Sequence, residues 1–223
     1  MIFSLSLKCI QLERNLTNKS RIAILISGRG SNMLALSDAI DRGVIPNSEI
    51  VLVLSDKAEA KGLKTAGERG LKTLAIERRG RKREEHETDI IAALHEHQVD
   101  LICLAGFMRL LSPCFVDAFP GRILNIHPSL LPSFPGLDAQ RQAIAHGAKF
   151  SGCTVHFVDT TLDGGPIIAQ RVVPILDGDT EESLAERILE QEHLLYAEAV
   201  ALVLSGETEI KGRRVVRTVG STQ

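Results

Sequence analysis

Asn125 and His127 stand two residues apart in LNIHPSLLPSFPG (124–136), at the end of an apolar run, and Asp163 stands in LDGG (162–165). Alternate residues of a strand share a face, so the amide and the imidazole point the same way. An amide donor can hold a developing oxyanion while an imidazole gives or takes a proton. Pro128, Pro132 and Pro135 prevent the chain from continuing as a helix or central strand and fix the backbone that aims what precedes them. The same residues also fit a histidine bonded to a neighbouring loop and an aspartate that merely caps a Gly-Gly turn. If Asp163 lies near His127, its charge favours the imidazolium and completes an acid-base unit.

A second candidate is SGRGSN (27–32), between an apolar strand and a helix. Glycines there permit tight turns, and the free N–H groups of a helix start suit an anion, most often phosphate. The third glycine of a dinucleotide fingerprint would fall at Met33, so the loop fits one phosphate better than a dinucleotide. A plain strand-to-helix turn is the alternative.

Other chemistries find less support. Ser129, His127 and Asp163 offer the residue types of a hydrolase triad, but there is no GxSxG elbow, and Ser129 is too close to His127 in sequence. His127, His146 and His156 have no zinc spacing, although His193 follows Glu192 on a helix. The run RRGRKR (78–83) is flanked by Glu77, Glu84 and Glu85 and reads as a solvated loop with one functional arginine. The four cysteines, Cys9, Cys103, Cys114 and Cys153, form no CxxC pair and fit a reducing cytoplasm.

These residues must be held by a scaffold, and the chain supplies alternating apolar runs and helical patterns. Strands are expected at 21–27, 49–55, 71–76, 100–106 and 121–125, with helices at 31–43, 58–70 and from about 85 to 98. That order predicts an α/β fold, a Rossmann-like, mostly parallel sheet with helices on both faces. Ligands bind at the carboxyl ends of such strands, so SGRGSN, AGFMRLLS and NIHPS are expected to converge. Residues 154–159 and 167–175 read as an antiparallel hairpin, 179–206 as a long helix capped by Asp179 or Thr180, and 208–217 as a last strand or pair. Residues 1–20 are expected to be a mobile extension and 21–223 a single domain. With 223 residues, 24% charged, and a net charge of −2, the chain carries no basic bias toward nucleic acid and no run long enough for a membrane helix.

Taken together, ISGRGSN, LSDKAEAKGL, DLICLAGFMRLLSP, GRILNIHPSLLPSFPGLDAQRQA, GCTVHFVD, LDGGPIIAQ and EQEH closely resemble the phosphoribosylglycinamide formyltransferases of purine biosynthesis. The resemblance spans about residues 21–206. It departs at Ser133, where a basic residue is common, and at Ala197, where proline is frequent after the tyrosine.

The resemblance implies the formyltransferase fold and transfer of a formyl group from 10-formyltetrahydrofolate to the amine of glycinamide ribonucleotide, without a metal. It implies Asn125, His127 and Asp163 as the catalytic trio and Gly30, Ser31, Asn32 and Glu192 as the ribonucleotide site. Arg83, Met108, Arg109, Leu110 and Leu111, with Asn125 and the loop Asp159, Thr160, Thr161, Leu162 and Asp163, would receive the folate. It further implies a cytoplasmic monomer or homodimer with small-molecule partners and neither nucleic acid nor membrane. Formyltetrahydrofolate deformylase shares the trio but carries a preceding regulatory domain, for which 20 residues are too few. Methionyl-tRNA formyltransferase carries a C-terminal nucleic-acid-binding domain, for which residues after 206 leave no room. A silent binding module would keep the glycine loop and lose the trio.

Overall fold

The β-branched run SRIAILI forms strand β1, Ser20–Ile26, buried on both faces: Ile22, Ile24 and Ile26 enter one core and Ala23 and Leu25 the other. Such two-sided burial is what a central strand of a parallel sheet requires. The computed structural model describes residues 19–218. Most of the expected extension, Cys9 included, lies outside the described residues, and its boundary shifts because Ser20 already pairs with Ser48 in the sheet.

After β1 come helix α1 (Ser31–Asp41), β2 (Ser48–Ser55), α2 (Lys61–Glu68), β3 (Thr73–Ala75), α3 (Arg83–Glu96) and β4 (Leu101–Leu104). Then follow α4 (Pro113–Ala118), β5 (Ile123–His127), α5 (Ala139–Ala145), β6 (Phe150–Phe157), β7 (Ile167–Pro174), α6 (Glu181–Leu204), β8 (Thr208–Lys211) and β9 (Arg214–Arg217). Among the described residues nine strands form one sheet in the order β3-β2-β1-β4-β5-β6-β7-β9-β8. Strands β1 to β5 pair in parallel, while β6 runs antiparallel to both β5 and β7. The expected α/β architecture and antiparallel hairpin are therefore present. The helices α4 and α5 were not anticipated. Both are short, and α4 is started by the Ser112 hydroxyl, which accepts from Phe115 N, and by Pro113 at its first turn.

The sheet separates two cores. On one face, Met33 and Leu36 of α1, Leu63 of α2 and Leu184, Ile188 and Tyr196 of α6 pack together; on the other, Ile90 and Leu94 of α3 join Phe115 of α4 and Phe119. Helix α6 is fixed at its start by Thr180 and Ser183, each side chain bonded to the other's backbone. The chain leaves β1 in one direction toward β2 and β3, then returns to place β4 on the other side of β1. Between β1 and β4 the order reverses, and a crevice must open at their carboxyl ends.

Candidate functional site

The three loops expected to converge follow β1, β4 and β5, which are consecutive neighbours in the sheet. The first two are tied together as well as adjacent. Ser27 Oγ donates to Asp56 Oδ1 at 2.6 Å and accepts from Met108 N at 2.9 Å, while Arg109 Nε donates to Asp56 Oδ2 at 2.6 Å. A buried carboxylate after β2 thus joins the glycine loop to the loop after β4.

The glycine loop is shaped by a close backbone approach. Gly30 caps α1 at φ 76°, the left-handed region open to glycine at little cost, and with no side chain it leaves the first N–H groups of the helix uncapped. The first bonded amide of the helix is Leu34 N, to Gly30 O, so the N–H groups of Ser31 and Asn32 remain open to an anion. Gly62 of α2 packs beneath this turn: its N–H donates to Gly28 O at 3.0 Å, and a Cβ on Gly62 would lie 2.5 Å from Ile26 Cδ1. Gly62 is a part of the site that sequence reasoning missed, although it lies in the quoted LSDKAEAKGL.

From α6, Glu192 reaches the same place. Its Oε2 accepts from Asn32 Nδ2 at 2.8 Å, and both residues are buried. Burial pushes the Glu192 pKa up, and the Asn32 bond opposes the rise. Asn32 Oδ1 has no partner among the described residues and remains an open acceptor.

On β5 the alternation of Asn125 and His127 puts both side chains on one face, as expected. His127 Nε2 lies 2.9 Å from Phe134 O, so that nitrogen carries a proton and donates it to the carbonyl. Its Nδ1 lies 3.5 Å from Asp163 Oδ2, too far for a good direct bond and near enough to act once a substrate atom or water enters. Asp163 sits at φ 47°, and its Oδ2 accepts from Gly136 N at 2.7 Å. The local turn is closed by other groups: Thr161 N donates to Asp159 Oδ1 and Gly164 N to Thr161 O. Asp163 is therefore more than a cap for its own turn. Ser129 is buried with its hydroxyl donated to Ser133 O at 2.6 Å, which leaves no hydrolase triad.

A fourth side chain joins these three. His156 on β6 stands directly across from Asn125 and lies 3.2 Å from it, Nε2 to Nδ2, and 3.8 Å from Asp163 Oδ1. Its Nδ1 lies 2.9 Å from Phe157 O and donates to it, so in the neutral ring Nε2 is the acceptor for the Asn125 amide. Burial pushes the His156 pKa down, against the Phe157 carbonyl and the charge of Asp163, which raise it. The alternation in TVHFV was a signal for this placement, but only the β5–β6 register puts the two side chains opposite each other.

A pocket of about 300 Å³ is lined by Arg78, Arg83, Phe107, Met108, Arg109 and Leu110, among others. Met108, Leu110 and, on the opposite loop, Leu162 are exposed apolar side chains. Thr160 and Thr161 are exposed with Leu162, whereas Leu111 is half-buried and packs into the core under α3. Of Met108, Arg109, Leu110 and Leu111, only Leu111 does not line the pocket. Among the described residues no three metal-ligating side chains gather.

The formyl transferase family profile matches residues 20–200. The chain belongs to the formyl transferase family. A phosphoribosylglycinamide formyltransferase of Escherichia coli is 42% identical over 190 residues, which are 85% of this chain and 89% of that one. A trifunctional purine biosynthetic protein, adenosine-3, of Drosophila pseudoobscura is 49% identical over 190 residues, 84% of this chain. This formyl transferase spans only 14% of that relative's length. The crystal structure of a glycinamide ribonucleotide transformylase from Symbiobacterium toebii superposes with a TM-score of 0.88 at 48% identity, covering 90% of this chain and 95% of that one.

Proposed function

We propose that the chain is a phosphoribosylglycinamide formyltransferase, transferring a formyl group from 10-formyltetrahydrofolate to the amine of glycinamide ribonucleotide in de novo purine synthesis. One observation carries the reading: Asp163 lies 3.5 Å from His127 on β5, and the neighbouring loop after β4 both bonds to the glycine loop and lines a pocket that is apolar and cationic. The names of the similar proteins point the same way.

In this reading the N–H groups after Gly30, at Ser31 and Asn32, hold the ribonucleotide phosphate, and Glu192 faces the glycinamide end of the same substrate. The folate enters the pocket over Met108 and Leu110, with Leu111 as backing and the loop Asp159–Asp163 closing beside it. Arg83 and Arg109 suit the carboxylates of such a molecule, and the apolar side chains suit its rings.

Asn125 has one amide hydrogen committed to His156 and one free for the formyl oxygen. His127 Nδ1–H supplies a second donor to that oxygen as negative charge collects on it. Loss of one such donor typically costs ~3 kcal/mol of barrier. Asp163 holds the imidazolium and moves the proton released by the attacking amine toward the departing folate nitrogen. Holding the two substrates in line supplies much of the remaining acceleration. The reading also carries a cytoplasmic protein, a monomer or homodimer, whose partners are these two small molecules.

The test is release of tetrahydrofolate from 10-formyltetrahydrofolate by purified protein, followed spectrophotometrically with and without glycinamide ribonucleotide. Turnover that depends on the ribonucleotide is expected. Equal turnover without it would make water the acceptor and the protein a deformylase.

A further inference from the structure

His127 depends on a carbonyl, Phe134 O, that belongs to the loop between β5 and α5. Within residues 128–138 the chain forms no strand or helix, and Phe134 itself sits at φ 53°, where a bulky residue persists only if its surroundings hold it. The only backbone bond closing this loop on itself is Ser133 N to Leu130 O, at 3.0 Å. Asp163 accepts from Gly136 N at 2.7 Å and Gln142 of α5 donates to Leu137 O at 2.8 Å after Phe134, while side chains from the next two strands hold the stretch before it.

Thr154 of β6 is fully buried and pairs with His127 across the β5–β6 ladder. Its hydroxyl donates to Ser129 O at 2.7 Å and accepts from Leu131 N at 3.1 Å and from Gln170 Nε2 at 2.9 Å. One donor and two acceptors exhaust what a hydroxyl can do. Gln170 of β7 gives its other amide hydrogen to Leu131 O at 2.9 Å. The buried Ser129 hydroxyl then reaches Ser133 O, the carbonyl immediately before Phe134. A continuous set of bonds therefore runs from Thr154 through Ser129 to the Ser133 carbonyl, one peptide before the Phe134 carbonyl that accepts from His127.

We propose that Thr154, backed by Gln170, is a positioning residue: by hanging the 129–134 loop it holds Phe134 O against His127 Nε2 and so decides which imidazole nitrogen is left for chemistry. The inference rests on the reading of His127 as the acid, but its physical content is a tautomer and a ring orientation. Without the Thr154 hydroxyl, Leu131 N–H and Ser129 O lose their partner, the loop relaxes and the carbonyl withdraws. His127 is then free to place its proton on either nitrogen or to turn its ring away from Asp163.

The test combines ¹⁵N NMR of the His127 ring with steady-state kinetics in Thr154→Val, Thr154→Ser and Gln170→Leu. Thr154→Val keeps the side-chain shape and removes the hydroxyl. It should change the two ring-nitrogen shifts of His127 and lower kcat by roughly 10- to 100-fold with little change in KM, as expected for a misplaced catalytic group. Thr154→Ser should restore both readouts, and Gln170→Leu should show a smaller change of the same sign. If Thr154→Val does not fold, the graded effect of Gln170→Leu on the ring signals carries the test. A folded Thr154→Val or Gln170→Leu protein with the parent ring shifts overturns the proposal, even if its melting temperature is lower. Altered ring signals in a protein that fails to formylate glycinamide ribonucleotide would leave the positioning role standing and end the assigned reaction instead.

Discussion

Asn125 and His156 face each other across the β5–β6 ladder, Nδ2 3.2 Å from Nε2, and the imidazole accepts what the amide donates. The bond requires a neutral His156, and burial favours that form by lowering its pKa from the ordinary 6.5. The unfolded chain then takes up a proton at higher pH than the folded one. His156 therefore contributes its full stability above about pH 6.5, and that contribution falls as pH drops through this value toward the lower folded pKa. Urea unfolding from pH 7.5 to 5 should show a loss of stability that is smaller in His156→Gln. Parallel pH curves for the two proteins would remove His156 as a titrating group in this window.

Asn125 and His127 carry separate parts of the proposed chemistry, and their substitutions should differ accordingly. Asn125→Ala removes an oxyanion donor and is expected to lower kcat by about 10²–10³-fold. His127→Ala removes donor and proton carrier together and is expected to cost about 10²–10⁴-fold. Neither should raise KM for glycinamide ribonucleotide more than a few-fold, because its phosphate is held at α1. Steady-state kinetics decide the point: a large KM increase at constant kcat would make these residues binders only.

The strand ends were legible because β-branched runs such as RIAILIS and the glycines after them are local signals. Asn125 with His127 was legible because strand alternation is also local. His156, Gly62 and Thr154 were not, since each acts through a register between segments far apart in sequence. Asp163 looked like a turn residue because Asp before Gly-Gly usually is one; Asp159 takes that task here and frees Asp163. The helices α4 and α5, with 6 and 7 residues, are too short to show a helical period.

Gly62 offers a test of the phosphate loop that leaves the trio alone. A methyl group there would lie 2.5 Å from Ile26 Cδ1 and 3.1 Å from both Gly28 O and Gly30 Cα. The side chain can turn away, but the backbone of the loop must shift. Gly62→Ala should therefore raise KM for glycinamide ribonucleotide by about tenfold or more and weaken inorganic phosphate as a competitor, at nearly unchanged KM for the folate. Calorimetric titration with the ribonucleotide checks this, and an unchanged affinity would show that the loop does not depend on its support from α2.

Glu192 puts stability and binding in opposition. Its carboxyl is buried and its pKa lies above the ordinary 4.5, so the folded chain holds the proton more tightly than the unfolded one. The stabilising contribution of this group is complete below about pH 4.5 and is lost as pH rises through the folded pKa. Above that range the protein carries the cost of keeping this carboxyl buried with the Asn32 amide as its partner. Glu192→Gln keeps an oxygen for Asn32 Nδ2 and removes the charge, so unfolding at pH 7 should require more urea than in the parent. The same change should weaken glycinamide ribonucleotide by about tenfold or more, since bonds to a charged acceptor are the stronger ones. Greater stability with weaker binding is the expected pair of results; a variant that binds the ribonucleotide as tightly as the parent would show that Glu192 serves the fold and not the substrate.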